Sequence, residues 1–306
     1  MTNAVVDDSV EEARGRLGRI GAGLMVPIAP ANEWRRTVAR LEQAGYGSVW
    51  INELIGGRES FAQAGLLLAA SERLVVGTSV ANLWARHPAA MQGGAAVLAD
   101  AYPGRFALGI GVSAEVLVEA SGQKWERPLQ RMRGYLDQMD ASTASAPRPA
   151  VPFPRLLGAL GPKMLALAAE RADGALTATM PVEHTRRARE ILGPGKLLIV
   201  GQIAVPETDP DTARAIARQA SALDMPGSPY AKALSGLGYQ DADLRDGGTD
   251  ALVDARSPWG DAETIAARLR AHLDAGADHI CVNVLALDLD SAADQFEKLA
   301  PALTVL

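Results

Sequence analysis

The chain has 306 residues, 48% of them hydrophobic and 22% charged, with a formal net charge of −6, a pI near 5.3 and a single cysteine, Cys281. One cysteine excludes an intramolecular disulfide, no paired Cys/His spacing offers a metal centre, and the acidic balance leaves no electrostatic footprint for nucleic acid or an anionic membrane. No apolar run approaches a membrane span and Met1–Gly15 is acidic without a signal-peptide core, so the expectation is a soluble, cytoplasmic protein whose partners are small molecules.

Residues 1–16 read as a flexible extension, and residues 17–306 as one domain. Within that domain strand-like runs alternate with helical ones. The strand candidates are Arg19–Met25, Ser48–Asn52, Leu74–Ser79, Phe106–Gly111, Arg155–Leu160, Ala175–Met180, Leu197–Val205 and His279–Leu285. Such βα repeats predict a closed parallel (β/α)8 TIM barrel. After the first strand, Asn32 is placed to cap a helix whose Trp34, Val38 and Leu41 share a face, with Gly45 ending it. Asp100 and Arg105 read as an ion pair bracing the turn into the fourth strand. Two stretches exceed a minimal barrel and read as rim insertions. One is a helix over Trp125–Met139 with the proline-rich loop Ala146–Pro154, expected to wall the mouth; the other is Asp224–Pro258, broken at Met225–Pro229 and Asp246–Gly248, expected to form a lid. The last helix before the eighth strand has Asp261 as its cap, Ile265, Leu269 and Leu273 as its buried stripe and Gly276 as its stop.

Ligands of parallel α/β folds bind at the C-terminal ends of the strands, and the side chains expected there carry the chemistry. Glu53 ends the second strand; a carboxyl in an apolar mouth can have its pKa raised enough to donate a proton, whereas an arginine such as Arg86 or Arg58 would make it structural. Ser79 and Asn82 end the third strand, where they either face a ligand or satisfy backbone groups. Pro88 then opens a helix. In Gly109-Ile110-Gly111-Val112-Ser113-Ala114-Glu115, the glycines would let a ligand lie against the backbone, with Ser113 and Glu115 reaching in. The plain alternative for Glu115 is a solvated first-turn charge. The fifth strand runs through Leu160 and Gly161 into a helix opening at Pro162-Lys163-Met164, whose N-terminus and Lys163 suit a phosphate, although a tight βα connection uses the same residues. Cys281 and Asn283 share one face of the eighth strand, inside or outside the barrel.

Three segments carry a family resemblance. Gly77-Thr78-Ser79-Val80-Ala81-Asn82 with Arg86-His87-Pro88, Gly45–Glu53 and Leu98–Gly111 resemble the third, second and fourth strands of the luciferase-like family of flavin and deazaflavin enzymes, closest to its actinobacterial-type members assigned to coenzyme F420. The likeness runs roughly from Leu17 to Leu285. It implies a bulge with a cis peptide at Ser79-Val80 supporting the cofactor ring, and a phosphate-holding turn at Leu160, Gly161, Pro162 and Lys163. It also implies contacts from Asn82, Gly109, Gly111, Val112 and Ser113, and a homodimer. Glu53, His87 and Glu115 are the implied proton donors, and His184 keeps a family position as well. Two departures stand out: Leu54 replaces a common histidine, and Ala114 a common histidine or glutamate.

The expected function is therefore hydride transfer between coenzyme F420 and a small organic substrate. FMN chemistry, as reductase or monooxygenase, is the alternative. A third reading, a barrel without a redox cofactor that binds a ligand or catalyses a redox-neutral reaction, rests on Leu54, Ala114 and the lack of polar side chains in Gly21–Pro27.

Overall fold

The computed structural model describes residues 3–25, 28–220 and 228–306. Its strands are β1 (Ile20–Leu24), β2 (Ser48–Ile51), β3 (Val75–Thr78), β4 (Ala81–Asn82), β5 (Phe106–Gly111), β6 (Arg155–Gly158), β7 (Gly174–Ala178), β8 (Leu197–Ala204) and β9 (His279–Val284). All pair in parallel in the order β3-β2-β1-β9-β8-β7-β6-β5-β4, and a β3–β5 pairing closes the circle. β3 and β4 are one barrel strand interrupted at Ser79-Val80, whose peptide bond is cis as the resemblance implied. The result is the expected (β/α)8 barrel. Its strands are legible because both faces are buried: every residue of β8 is, so the segment reads as a nearly continuous apolar run.

Alternate residues fill the interior. Trp50, Ala107, Leu156, Leu176, Ile199 and Cys281 form a cluster there, so the face shared by Cys281 and Asn283 is the inner one. At the N-terminal end of the barrel, His279 accepts from the Trp50 indole N–H at 3.0 Å, lies 3.2 Å from Ser48 Oγ and, through Nδ1, donates to Gly18 O at 2.8 Å.

The same end corrects the expectation of a flexible extension, because Asn3–Leu17 is a helix. Its exposed Glu11 and Glu12 lie beside an apolar face: Val10 and Leu17 are buried with the interior cluster, Ala13 packs against it, and Arg14 pairs with Asp278 at 2.9 Å. The helix Ala31–Gln43 buries Trp34, Val38 and Leu41, but its N-cap is Pro30 and Asn32 lies inside its first turn. Asp261 does cap its helix, accepting from Thr264 N at 2.8 Å. Arg105 makes no ion pair with Asp100 among the described residues. Carbonyls of Leu68, Ser71 and Leu74 lie 3.0–3.2 Å from its guanidinium and take its protons instead.

The first insertion contains the helix Pro128–Ser142, which starts later than expected because Arg127 adopts φ 43°. The second contains the helices Pro229–Ser235 and Asp250–Arg256; residues 224–227 of that expected lid lie outside the described residues. Among the described residues no helix is long and apolar enough to cross a membrane.

His272, in the helix Ala262–Asp274, is also buried, with Nδ1 2.8 Å from Thr185 Oγ1 and Nε2 accepting from Gln202 at 3.1 Å. Burial pushes both His272 and His279 down to about 4. Between pH 6.5 and 4 the unfolded chain binds protons that the folded chain refuses. The stabilising contribution is full above 6.5 and is lost as the pH falls through that window, by about 1.4 kcal/mol per pH unit for each histidine. Urea unfolding should show lower stability at pH 5 than at pH 7, with a shallower slope in His279→Gln. Equal stability at the two pH values would contradict buried neutral imidazoles.

Candidate active site

The C-terminal mouth is organised around Val80. Its side chain rests on the interior cluster, and its methyl groups take the space that a Cβ at Gly111 would need and approach to 3.3 Å of one at Gly158. A Cβ at Gly109 would meet Thr78 O and the Leu176 side chain. The protein itself occupies the space that side chains at Gly109 and Gly111 would take. Thr78 Oγ1 secures the strands, donating to Gly109 O at 2.8 Å and accepting from Gly109 N at 2.9 Å. Val112 follows with its carbonyl bonded to the Trp84 indole at 2.8 Å, and Ser113 turns the chain with φ 63°. Asn283 points inward against Gly23, and Ser79 is partly exposed.

Glu53 is buried and fully engaged. It accepts from Ser60 N at 3.0 Å and Asn82 N at 2.7 Å, and it is ion-paired to Arg86, which also reaches Glu59. This is the arginine pairing read from the sequence as the alternative to an acid role. The carboxylate binds three donors, and no hydrogen bond or ion pair links it to His87 or Glu115 among the described residues. Asn82 also serves the backbone, its Oδ1 accepting from Trp84 N at 3.0 Å.

The other acid–base candidates are solvent-facing. His87 caps the helix Pro88–Ala101, its Nδ1 accepting from Ala89 N at 3.2 Å. In that tautomer the proton sits on Nε2. The ring borders a cleft of about 630 Å³ beside the mouth, lined also by Trp84, Arg86, Arg131 and Tyr135. Glu115 is the exposed first residue of the short helix Glu115–Ala120, the solvated position that was its plain alternative. Leu54 is 45% exposed at the rim.

The fifth barrel strand delivers the remaining candidates. After β6, Leu160 leads to Gly161, the N-cap of the helix Pro162–Arg171, where a Cβ would meet no atom within 4 Å. Pro162 and Lys163 are exposed beside this open space. The turn is held from behind. His184 is buried, with Nε2 donating to Leu160 O at 2.7 Å, and burial lowers its pKa below the usual imidazole value. Gln202 in β8 and Arg256 at the end of the helix Asp250–Arg256, both buried, escaped the sequence reading. Gln202 had left a signal, as the one amide in the apolar run Leu197–Ala204. Arg256 left none.

The sequence pattern of the luciferase-like monooxygenase family matches residues 16–279. A 5,10-methylenetetrahydromethanopterin reductase of Methanolobus tindarius is 28% identical over 296 residues, which span 83% of this chain and 91% of that relative. Among solved structures, an F420-dependent secondary alcohol dehydrogenase in complex with an F420-acetone adduct superposes with a TM-score of 0.73 at 18% identity, covering 93% of this chain and 98% of its own. A type II Baeyer-Villiger monooxygenase from Pseudomonas putida in complex with FMN superposes with a TM-score of 0.65 at 16% identity, covering 92% and 96%. At such identities the structural likeness establishes the fold.

Removing the Glu53 carboxylate leaves the amides of Ser60 and Asn82 without their acceptor and Arg86 with Glu59 as its remaining carboxylate. Glu53→Ala is expected to cost about 3–5 kcal/mol in urea unfolding. Glu115→Ala should stay within about 0.5 kcal/mol. Equal, small effects would mean that the Glu53–Arg86 pair does not hold the mouth together.

Proposed function

The chain belongs to the luciferase-like monooxygenase family, and on that premise we propose that it is a coenzyme F420-dependent oxidoreductase, passing a hydride between the deazaflavin and a small organic substrate. The observation that carries a ring-binding redox reading is the seat made by Val80, and the F420-dependent structural neighbour favours the deazaflavin. An apolar side chain stands on a packed core, between strand ends whose glycines make room for it, and offers a firm support to the face of a flat ring. The open backbone at Gly161 fits the phosphate of the same cofactor. When bound, the deazaflavin supplies the two-electron hydride chemistry.

The roles of the chain's own residues follow from their places. Ser79 and Val80 would carry the ring, with Ser113 at the wall, while Leu160, Gly161, Pro162 and Lys163 would hold the phosphate. Asn82, Gly109, Gly111 and Val112 would line the same seat. Glu53 orients the loop that follows β4 rather than supplying a proton. His87 or Glu115 would then exchange the proton that accompanies the hydride. FMN is the second reading, favoured by the FMN-bound structural neighbour, and it would use the same seat. The homodimer belongs to the proposal too; a monomeric mass by light scattering at micromolar concentrations would remove it.

Titration of the purified protein with each cofactor, followed by absorbance and fluorescence, should show F420 binding about tenfold or more tighter than FMN. The reverse order would assign FMN, and binding of neither would favour a barrel without a redox cofactor. Because a side chain at Gly161 meets open space, Gly161→Val should keep its melting temperature while losing at least tenfold in cofactor affinity, about 1.4 kcal/mol. Unchanged affinity would move the phosphate elsewhere. At least one of His87→Ala and Glu115→Gln should lower kcat by about 10²-fold or more, with cofactor affinity within a few-fold. If both keep the wild-type rate and pH profile, the proton comes from solvent or substrate.

A further inference from the structure

We propose that His184, Gln202 and Arg256 are positioning residues that tune the mouth for the cofactor's phosphate, by holding carbonyl groups at the ends of β6 and β7 turned away from it. This rests on the phosphate reading of the Leu160–Lys163 turn. Each of the three side chains is almost completely buried, at 3%, 0% and 2% exposure respectively. Each donates to a main-chain carbonyl just beyond a strand: His184 Nε2 to Leu160 O at 2.7 Å, Gln202 Nε2 to Met180 O at 2.8 Å, and Arg256 Nε to Thr179 O at 2.8 Å.

The consequence follows from peptide geometry. In a planar trans peptide the C=O and the following N–H point in opposite directions. Drawing Leu160 O toward the helix Val182–Leu192 turns the Gly161 amide away from that helix, and drawing Thr179 O toward Arg256 does the same for the Met180 amide. Thr179 has φ 50°, and this left-handed turn separates the Met180 amide from that of Thr179, which donates to Gly201 O at 2.7 Å. Neither Gly161 N nor Met180 N has a backbone acceptor among the described residues. Arg256 remains a cation at neutral pH behind the Thr179–Met180 peptide, although burial lowers its pKa to about 10.

Two of the donors, His184 and Gln202, belong to one assembly. His184 and its neighbour Thr185 lie on the same helix, and Thr185 Oγ1 meets His272 Nδ1 at 2.8 Å. His272 Nε2 in turn accepts from Gln202 at 3.1 Å. Fixing this helix therefore fixes the carbonyls at both strand ends.

The test compares ligands with and without the phosphate. Fluorescence titrations with F420 and with its phosphate-free deazaflavin ribityl analogue should show that His184→Phe weakens F420 by about tenfold or more and leaves the analogue within about twofold. His184→Gln, whose amide N–H can reach the same carbonyl, should restore most of the F420 affinity. Gln202→Leu should repeat the selective loss, and it serves if His184→Phe melts far below the wild type. Equal losses for both ligands, or no loss for either, would overturn the proposal. Binding of inorganic phosphate, read by ³¹P line width, separates this idea from the F420 reading. Wild-type protein that binds no deazaflavin, yet binds phosphate more tightly than His184→Phe does, would keep the positioning role and remove F420. Wild-type protein that binds no phosphate in any of these forms would overturn it.

Discussion

Volume inside the closed ring of strands is the constraint on which the rest of this structure depends. A barrel of this size is a packed core rather than a pore, so each large inward side chain needs a small neighbour. Trp50 fills the space where Gly77 has no side chain, and Val80 does so over Gly111 and beside Gly158. The glycines thus place one apolar residue at the centre of the mouth and keep the strand ends close around it. A side chain at Gly111 would displace Val80, and one at Gly77 would displace Trp50.

The two ends of the barrel are then treated differently. At the N-terminal end a helix lies against the interior cluster, and a neutral, buried histidine ties β9 to Ser48, Trp50 and Gly18. At the C-terminal end the polar groups lie around the rim. Glu53 and Arg86 brace the β2 and β4 ends, and His184, Gln202 and Arg256 brace those of β6 and β7. The charges and donors nearest the mouth are largely engaged with the protein itself. What they leave available is an apolar seat and open backbone, a site suited to a cofactor that brings its own chemistry.

Much of this was legible in the sequence, for physical reasons that also mark where legibility stopped. Strands buried on both faces appear as apolar runs, so β5 has the expected bounds and the others, apart from the unexpected β4, differ from theirs by no more than two residues at either end. Cap residues act within one turn, and Asp261 was readable for that reason. Glu53 was ambiguous because its partner is 33 residues away, and a sequence cannot say which arginine arrives. Asp100 and Arg105 misled by proximity, since the carbonyls that Arg105 reaches come from residues 31–37 positions away. The helix Asn3–Leu17 was obscured by its acidic face, although Val10, Ala13 and Leu17 have helical spacing. Nothing local to the G-x-G pair shows that Val80 would stand over Gly111, or Thr78 and Leu176 over Gly109.

A crystal structure of the protein soaked with coenzyme F420 tests the central claim most directly. One face of the deazaflavin is expected in van der Waals contact with Val80, and the phosphate within hydrogen-bond distance of the Gly161 amide beside Lys163. A ring bound away from Val80, for example in the cleft lined by Trp84 and Tyr135, or a phosphate bound away from the β6 and β7 ends, would contradict it.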